Sequence, residues 1–115
     1  MATDSIAKEK SMAFSIRIVR LYRYLTTEHK EFVLSKQILR SGTSIGANIA
    51  EAIYGSSRKD FVAKLQIALK ECAETLYWLE LLYNCDYLSS EMYQSLLNDC
   101  EALRKILSSS VMSSQ

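Results

Sequence analysis

The chain has 115 residues, a formal net charge of +1, 49% hydrophobic residues, three glycines and no proline. That length suits one domain, able to bury roughly two-thirds of the surface of its unfolded form, and the shortage of turn-making residues points to long helices and away from a β-rich fold. No apolar run approaches the roughly 20 residues that span a bilayer, and Met1-Ala2-Thr3-Asp4-Ser5 lacks the basic-then-apolar layout of a secretory signal, so the expected protein is soluble, cytoplasmic and unassociated with membranes.

Four periodic segments follow one another. Phe14, Ile18, Leu21 and Leu25 recur at helical spacing and predict a first helix over 5–27. The polar run Thr26-Thr27-Glu28-His29-Lys30 interrupts the pattern. Phe32-Val33-Leu34 then opens a second helix over 32–55, with Ile38, Ile45, Ile49, Ala52 and Ile53 on one face and Gly55 suited to the position just past its end. Ser57 with Asp60 three residues on resembles an N-cap, starting a third helix over 58–84 through Phe61, Leu65, Ala68, Cys72, Leu76, Leu79 and Tyr83. A turn around Asn84-Cys85-Asp86-Tyr87 leads to Ser89 as the next N-cap. Tyr93, Leu96, Cys100, Leu103 and Leu107 then predict a fourth helix over 90–108, after which the serine-rich tail 108–115 is expected to fray. Short connections make successive helices antiparallel, so the expected architecture is all-α, an up-down-up-down four-helix bundle in one domain spanning 1–115.

The second helix is unusual. At about 100° per residue, Arg40, Ser44, Asn48 and Glu51 form a polar ladder within roughly 80° beside the apolar face. Gly42, Gly46 and Ala50 lie on the other flank at spacings of four, where a neighbouring helix could approach closely. Each glycine costs a helix about 1 kcal/mol relative to alanine, and close packing is the expected compensation. The ladder is read as a hydrogen-bond network within or between subunits, with ligand or RNA phosphate binding as the alternative.

The segment Arg40-Ser-Gly-Thr-Ser-Ile-Gly-Ala-Asn-Ile-Ala-Glu51, followed by Ser57-Arg-Lys-Asp-Phe61 and Lys64-Leu-Gln-Ile-Ala68, resembles the bacterial four-helix-bundle family that includes proteins encoded in intervening sequences of large-subunit ribosomal RNA genes. Lys8-Glu-Lys-Ser11, Ile16-Arg-Ile-Val19, Thr75-Leu-Tyr-Trp-Leu79 and Leu96-Leu-Asn-Asp99 extend the similarity along nearly the whole chain. The resemblance implies a ring-shaped homopentamer of uncharacterised cellular role. A related branch comprises the accessory proteins of diversity-generating retroelements, which are strongly basic and implicated in nucleic-acid binding; this chain departs from them in being nearly neutral.

Charge is unevenly placed. Residues 1–36 hold seven Lys/Arg against four Asp/Glu, residues 37–85 hold five of each, and residues 86–115 hold two against four. A dipolar chain of this kind is not the strongly basic surface of a non-specific nucleic-acid binder. In a ring, however, Lys10, Arg17, Arg20 and Arg23 of the first helix and Arg58 and Lys59 at the start of the third would recur once per subunit, and these are the candidate contacts to an RNA or DNA backbone. Tyr22, Tyr24, Tyr54, Tyr77, Tyr83 and Trp78 suit either nucleobase stacking or protein interfaces, and are read as interface rings, since they do not alternate with basic residues on one surface.

Catalytic and cofactor chemistry find no support. Gly42 and Gly46 lack the following Lys and preceding strand of a phosphate loop. His29, the single histidine, has no Ser, Cys or metal partner nearby in sequence and reads as a solvated residue. Glu71 and Glu74 would need two Glu-x-x-His motifs to build a di-metal bundle. Cys72, Cys85 and Cys100 form no CxxC pair, so buried thiols are expected rather than disulfides or zinc ligands. The expected protein is a non-enzymatic, homo-oligomeric scaffold that recruits a protein partner, with a nucleic-acid-binding accessory factor as the alternative.

Overall fold

In a computed structural model the described residues are 2–55 and 57–115; Met1, with which the polar N-terminal stretch begins, lies outside them. Four helices follow in order: α1 Ala2–Glu28, α2 Leu34–Ile53, α3 Arg58–Asn84 and α4 Ser90–Ser114. Each packs on its chain neighbours, α4 closes back on α1, and the diagonal pairs α1/α3 and α2/α4 do not approach. The chain is an antiparallel four-helix bundle about 43 Å long and 21 by 19 Å across.

The residues at three/four spacing fill the centre. Phe14, Ile18, Leu25, Ile38, Ile45, Ile49, Leu79, Leu82, Leu103 and Leu107 are essentially inaccessible to solvent. A Cβ added at Gly42 would stand 2.8 Å from Ile18 Cγ1, and one at Gly46 3.2 Å from Ser15 Oγ. The two glycines therefore let α2 sit against α1, which offsets the intrinsic cost of glycine inside a helix.

Besides the first helix, which begins at Ala2 and not at residue 5, three boundaries differ from the sequence expectation. The second helix begins at Leu34, leaving Phe32 and Val33 exposed. Its start is set by Glu31, whose carboxylate accepts hydrogen bonds from the backbone N–H groups of Val33, Leu34 and Ser35 at 2.7–3.1 Å, while Ser35 Oγ donates to the Glu31 carbonyl at 2.8 Å. Orphan donors of a first turn are thus satisfied by a carboxylate rather than by a conventional small cap.

At the other end of α2 the helix stops at Ile53, and Gly55 does not adopt the left-handed conformation expected of a residue past a helix end. Glycine leaves room there: a Cβ would stand 2.5 Å from Asp60 Oδ2, which can rotate away, and 3.0 Å from the Ala52 carbonyl oxygen. The left-handed residues are instead Lys30 and Asp86. At Asp86 the backbone closes α3 as a Schellman motif, with Tyr87 N–H donating to the Leu82 carbonyl and Asp86 N–H to that of Tyr83.

The serine-rich tail is the third difference. It does not fray, and α4 continues to Ser114 with Ser110 and Val111 buried. Val111 extends the apolar register of Leu103 and Leu107 by one more turn, and Arg58 Nη1 donates to the Ser114 carbonyl at 3.4 Å. The expected N-caps Ser57 and Ser89 do form, each accepting from the backbone N–H three residues ahead, of Asp60 at 3.0 Å and Met92 at 3.1 Å.

Candidate functional site

The polar ladder of α2 faces α3. Arg40 Nη1 donates to Glu71 Oε2 at 3.1 Å, and its Nη2 bonds to Glu74 Oε2, which also accepts from the indole N–H of Trp78 at 2.9 Å. The Trp78 hydrogen bond, and then Arg40, hold the Glu74 carboxyl below its ordinary value against the opposing effect of burial. Asn48 Nδ2 donates to the Ser44 carbonyl at 2.9 Å and lies 3.0 Å from Ser44 Oγ, and Glu51 stands 3.7 Å from Lys64 Nζ. The four ladder residues therefore meet partners on α3 or within α2. Just inside them Thr75 Oγ1 lies 2.9 Å from Ser41 Oγ and 2.8 Å from the Glu71 carbonyl.

The basic residues separate into two groups. On α1, Arg17 is committed to α4: Nη1 donates to Asp99 Oδ2 at 2.7 Å and to the Ser95 carbonyl at 3.3 Å, and Nη2 to Ser95 Oγ at 2.9 Å. Lys10, Arg20 and Arg23 are exposed. On α3, Arg58 reaches the end of α4, and Lys59 is exposed beside it. Since α1 and α3 are diagonal helices, the six residues do not converge on one surface of a single chain.

Nucleophile chemistry is poorly served. Cys72 and Cys100 are buried as expected but Cys85, in the turn after α3, is exposed; the Cys100 thiol is pushed upward by its hydrogen bond with Cys72 and by burial, so it stays protonated. His29 is exposed but not idle: its Nε2 lies 3.1 Å from Tyr24 Oη, and its ring packs edge-on to Tyr24 and Tyr87. Among the described residues no three His, Cys, Asp or Glu side chains gather as a metal ion would require, and no helix is long and apolar enough to cross a membrane.

The model of a protein family described as 23S rRNA-intervening sequence protein matches residues 3–109. The chain belongs to that family. The chain is also similar, at 55% identity and a TM-score of 0.95, to a crystal structure of a protein of unknown function from the S23 ribosomal protein family of Bacteroides thetaiotaomicron VPI-5482. The match covers 96% of this chain and 98% of that one. No curated protein matches.

The bundle also holds polar pairings on which the sequence is largely silent. Ser41 carries a usable signal, falling three residues after Ile38 and four before Ile45 and thus on the buried face. Arg17 and Asp99 carry none, because their meeting depends on the register in which α4 returns along α1.

Proposed function

We propose that this protein is a non-enzymatic scaffold that works as a ring-shaped homo-oligomer in the cytoplasm. The observation that carries this reading is a pair of unlike apolar exposures on diagonal helices: Met12 and Ile16, one turn apart on α1, are 62% and 45% exposed, and on α3 Ile67 is 42% exposed with exposed Ala63 one turn before it. Two different patches on opposed helices suit a heterologous contact, in which one patch of each subunit meets the other patch of the next, and such contacts close into rings when the rotation permits. The family resemblance sets five as the expected number of subunits.

Light scattering on Ile16→Glu, Ile67→Glu and their mixture tests the arrangement. Each variant alone should lose the ring, and the mixture should form a dimer through its one intact pair of patches. If Ile67→Glu leaves the assembly whole, or if the unaltered protein is monomeric throughout the micromolar range, this reading is wrong.

The alternative, an RNA- or DNA-binding accessory factor, draws support from Lys10, Arg20 and Arg23, which make no ion pair among the described residues and would repeat around a ring. Binding to structured ribosomal RNA that weakens steeply with salt, and that is abolished by Arg20→Glu with Arg23→Glu, would favour it. Absence of binding at low salt excludes it.

A further inference from the structure

Between α1 and α4, the pair of adjacent helices that touch least, lies a pocket of about 280 Å³ lined by Arg17, Arg20, Leu21, Tyr24, Met92 and Leu96. Leu21 and Leu96 are buried beneath it, and Tyr24 and Met92 are half-buried. Its lining is thus an apolar floor with two guanidinium groups from successive turns of one helix.

The two cations are not equivalent. Arg17 is pinned by Asp99 and Ser95, so its position at the pocket is fixed by the fold. Arg20, three residues on, makes no hydrogen bond or ion pair among the described residues. Like charges at this helical spacing repel, and the single carboxylate bonded at this seam, Asp99, is spent on Arg17. One positive charge is left uncompensated over an apolar depression. That combination selects a carboxylate carried on a compact apolar group: the body replaces water over Leu21, Met92 and Leu96, and the carboxylate meets the free guanidinium as a charge-assisted hydrogen-bonded pair.

We propose that the α1/α4 pocket binds a small amphiphilic monocarboxylic acid, with Arg20 as the residue that selects for the negative charge. Phosphate or nucleic acid fits less well, since Arg17 is committed to Asp99 and Ser95 and the Tyr24 hydroxyl to His29, which leaves a dianion one free cation. The pocket is complete within one chain, so the proposal is independent of ring assembly.

The test uses three probes sharing one apolar body, 4-phenylbutyrate, 4-phenylbutanol and 4-phenylbutylamine, titrated into the full chain and followed by heteronuclear NMR. The carboxylate should give saturable shifts at Leu21, Tyr24, Met92 and Leu96 with a Kd of about 1 mM or tighter, about tenfold tighter than the alcohol, and the amine should give none. In Arg20→Glu the order should reverse in favour of the amine, with far-ultraviolet circular dichroism confirming that the bundle remains folded; Arg17 is left intact because it ties α1 to α4. Equal binding of carboxylate and alcohol, shifts that fail to saturate, or an unaltered order in Arg20→Glu would each overturn the proposal. Light scattering on the same samples reads assembly separately.

Discussion

Arg17 and Asp99 form the single ion pair that joins α1 to α4 among the described residues, 2.7 Å apart and partly open to water. With side chains 34% and 50% exposed, the pair is screened, so Asp99→Asn should lower stability by only about 0.5 kcal/mol in urea denaturation. Arg17→Ala should cost more, about 1–2 kcal/mol, because it also removes both bonds to Ser95 and the packing of the side-chain stem. Equal losses for the two variants would show that Ser95 contributes nothing.

The two glycines of α2 should respond with opposite sign to the same change. Gly42→Ala drives a methyl into Ile18, a β-branched side chain with no room to move, and should destabilise by about 1–3 kcal/mol despite the gain in helix propensity. Gly46→Ala meets the hydroxyl oxygens of Ser15 and Ser11 at 3.2 and 3.4 Å, which can rotate away, and Ser11 Cβ at an ordinary contact distance of 3.5 Å. There the propensity gain of up to about 1 kcal/mol should leave the protein unchanged or more stable. Thermal melts of both variants settle the comparison, and a neutral Gly42→Ala would contradict the close approach.

Glu31 ties stability to pH. Burial works upward on its carboxyl but is outweighed by the N–H groups of Leu34, Ser35 and Val33, which hold it below its ordinary value of 4.5. A carboxyl lowered in the folded state contributes stability that is fully present above pH 4.5 and is lost as pH falls through the folded value. Glu31→Gln should cost about 1 kcal/mol at neutral pH and show a shallower decline below that point. Parallel acid limbs for the two proteins would refute the assignment.

Trp78, the single tryptophan, reports on its own acceptor. Because the Trp78 indole and Arg40 both keep Glu74 ionised, its protonation falls below the ordinary 4.5. The emission of Trp78 should change in that acid range while far-ultraviolet circular dichroism still reads folded, and Glu74→Gln should abolish the step. Persistence of the step in the variant would assign it to another group.

Much of this architecture can be read from apolar spacing, because in a bundle each helix must bury one stripe. Phe14, Ile45, Leu79 and Leu103 name their own faces. The helix ends were harder. At Glu31 the cap is a long side chain reaching forward four residues, a pattern that competes with the apolar appearance of Phe32 and Val33; at Val111 a polar composition hid one continuing apolar position. The ladder was visible as a stripe on α2, but its partners Glu71, Glu74 and Lys64 depend on how α3 is registered against it. The α1/α4 pocket was illegible, since it arises from the separation of two helices that are distant in sequence.

Crowded glycines on one side of α1 and a single guanidinium on the other give the molecule a spine and a fore-edge. When thermal motion opens the bundle, it should part along α1 and α4 like a book, with α2 and α3 holding the binding. Amides near Leu21 and Leu96 should then exchange before those near Ile18 and Gly42, and anything that fills the open seam would act as a clasp on the whole fold.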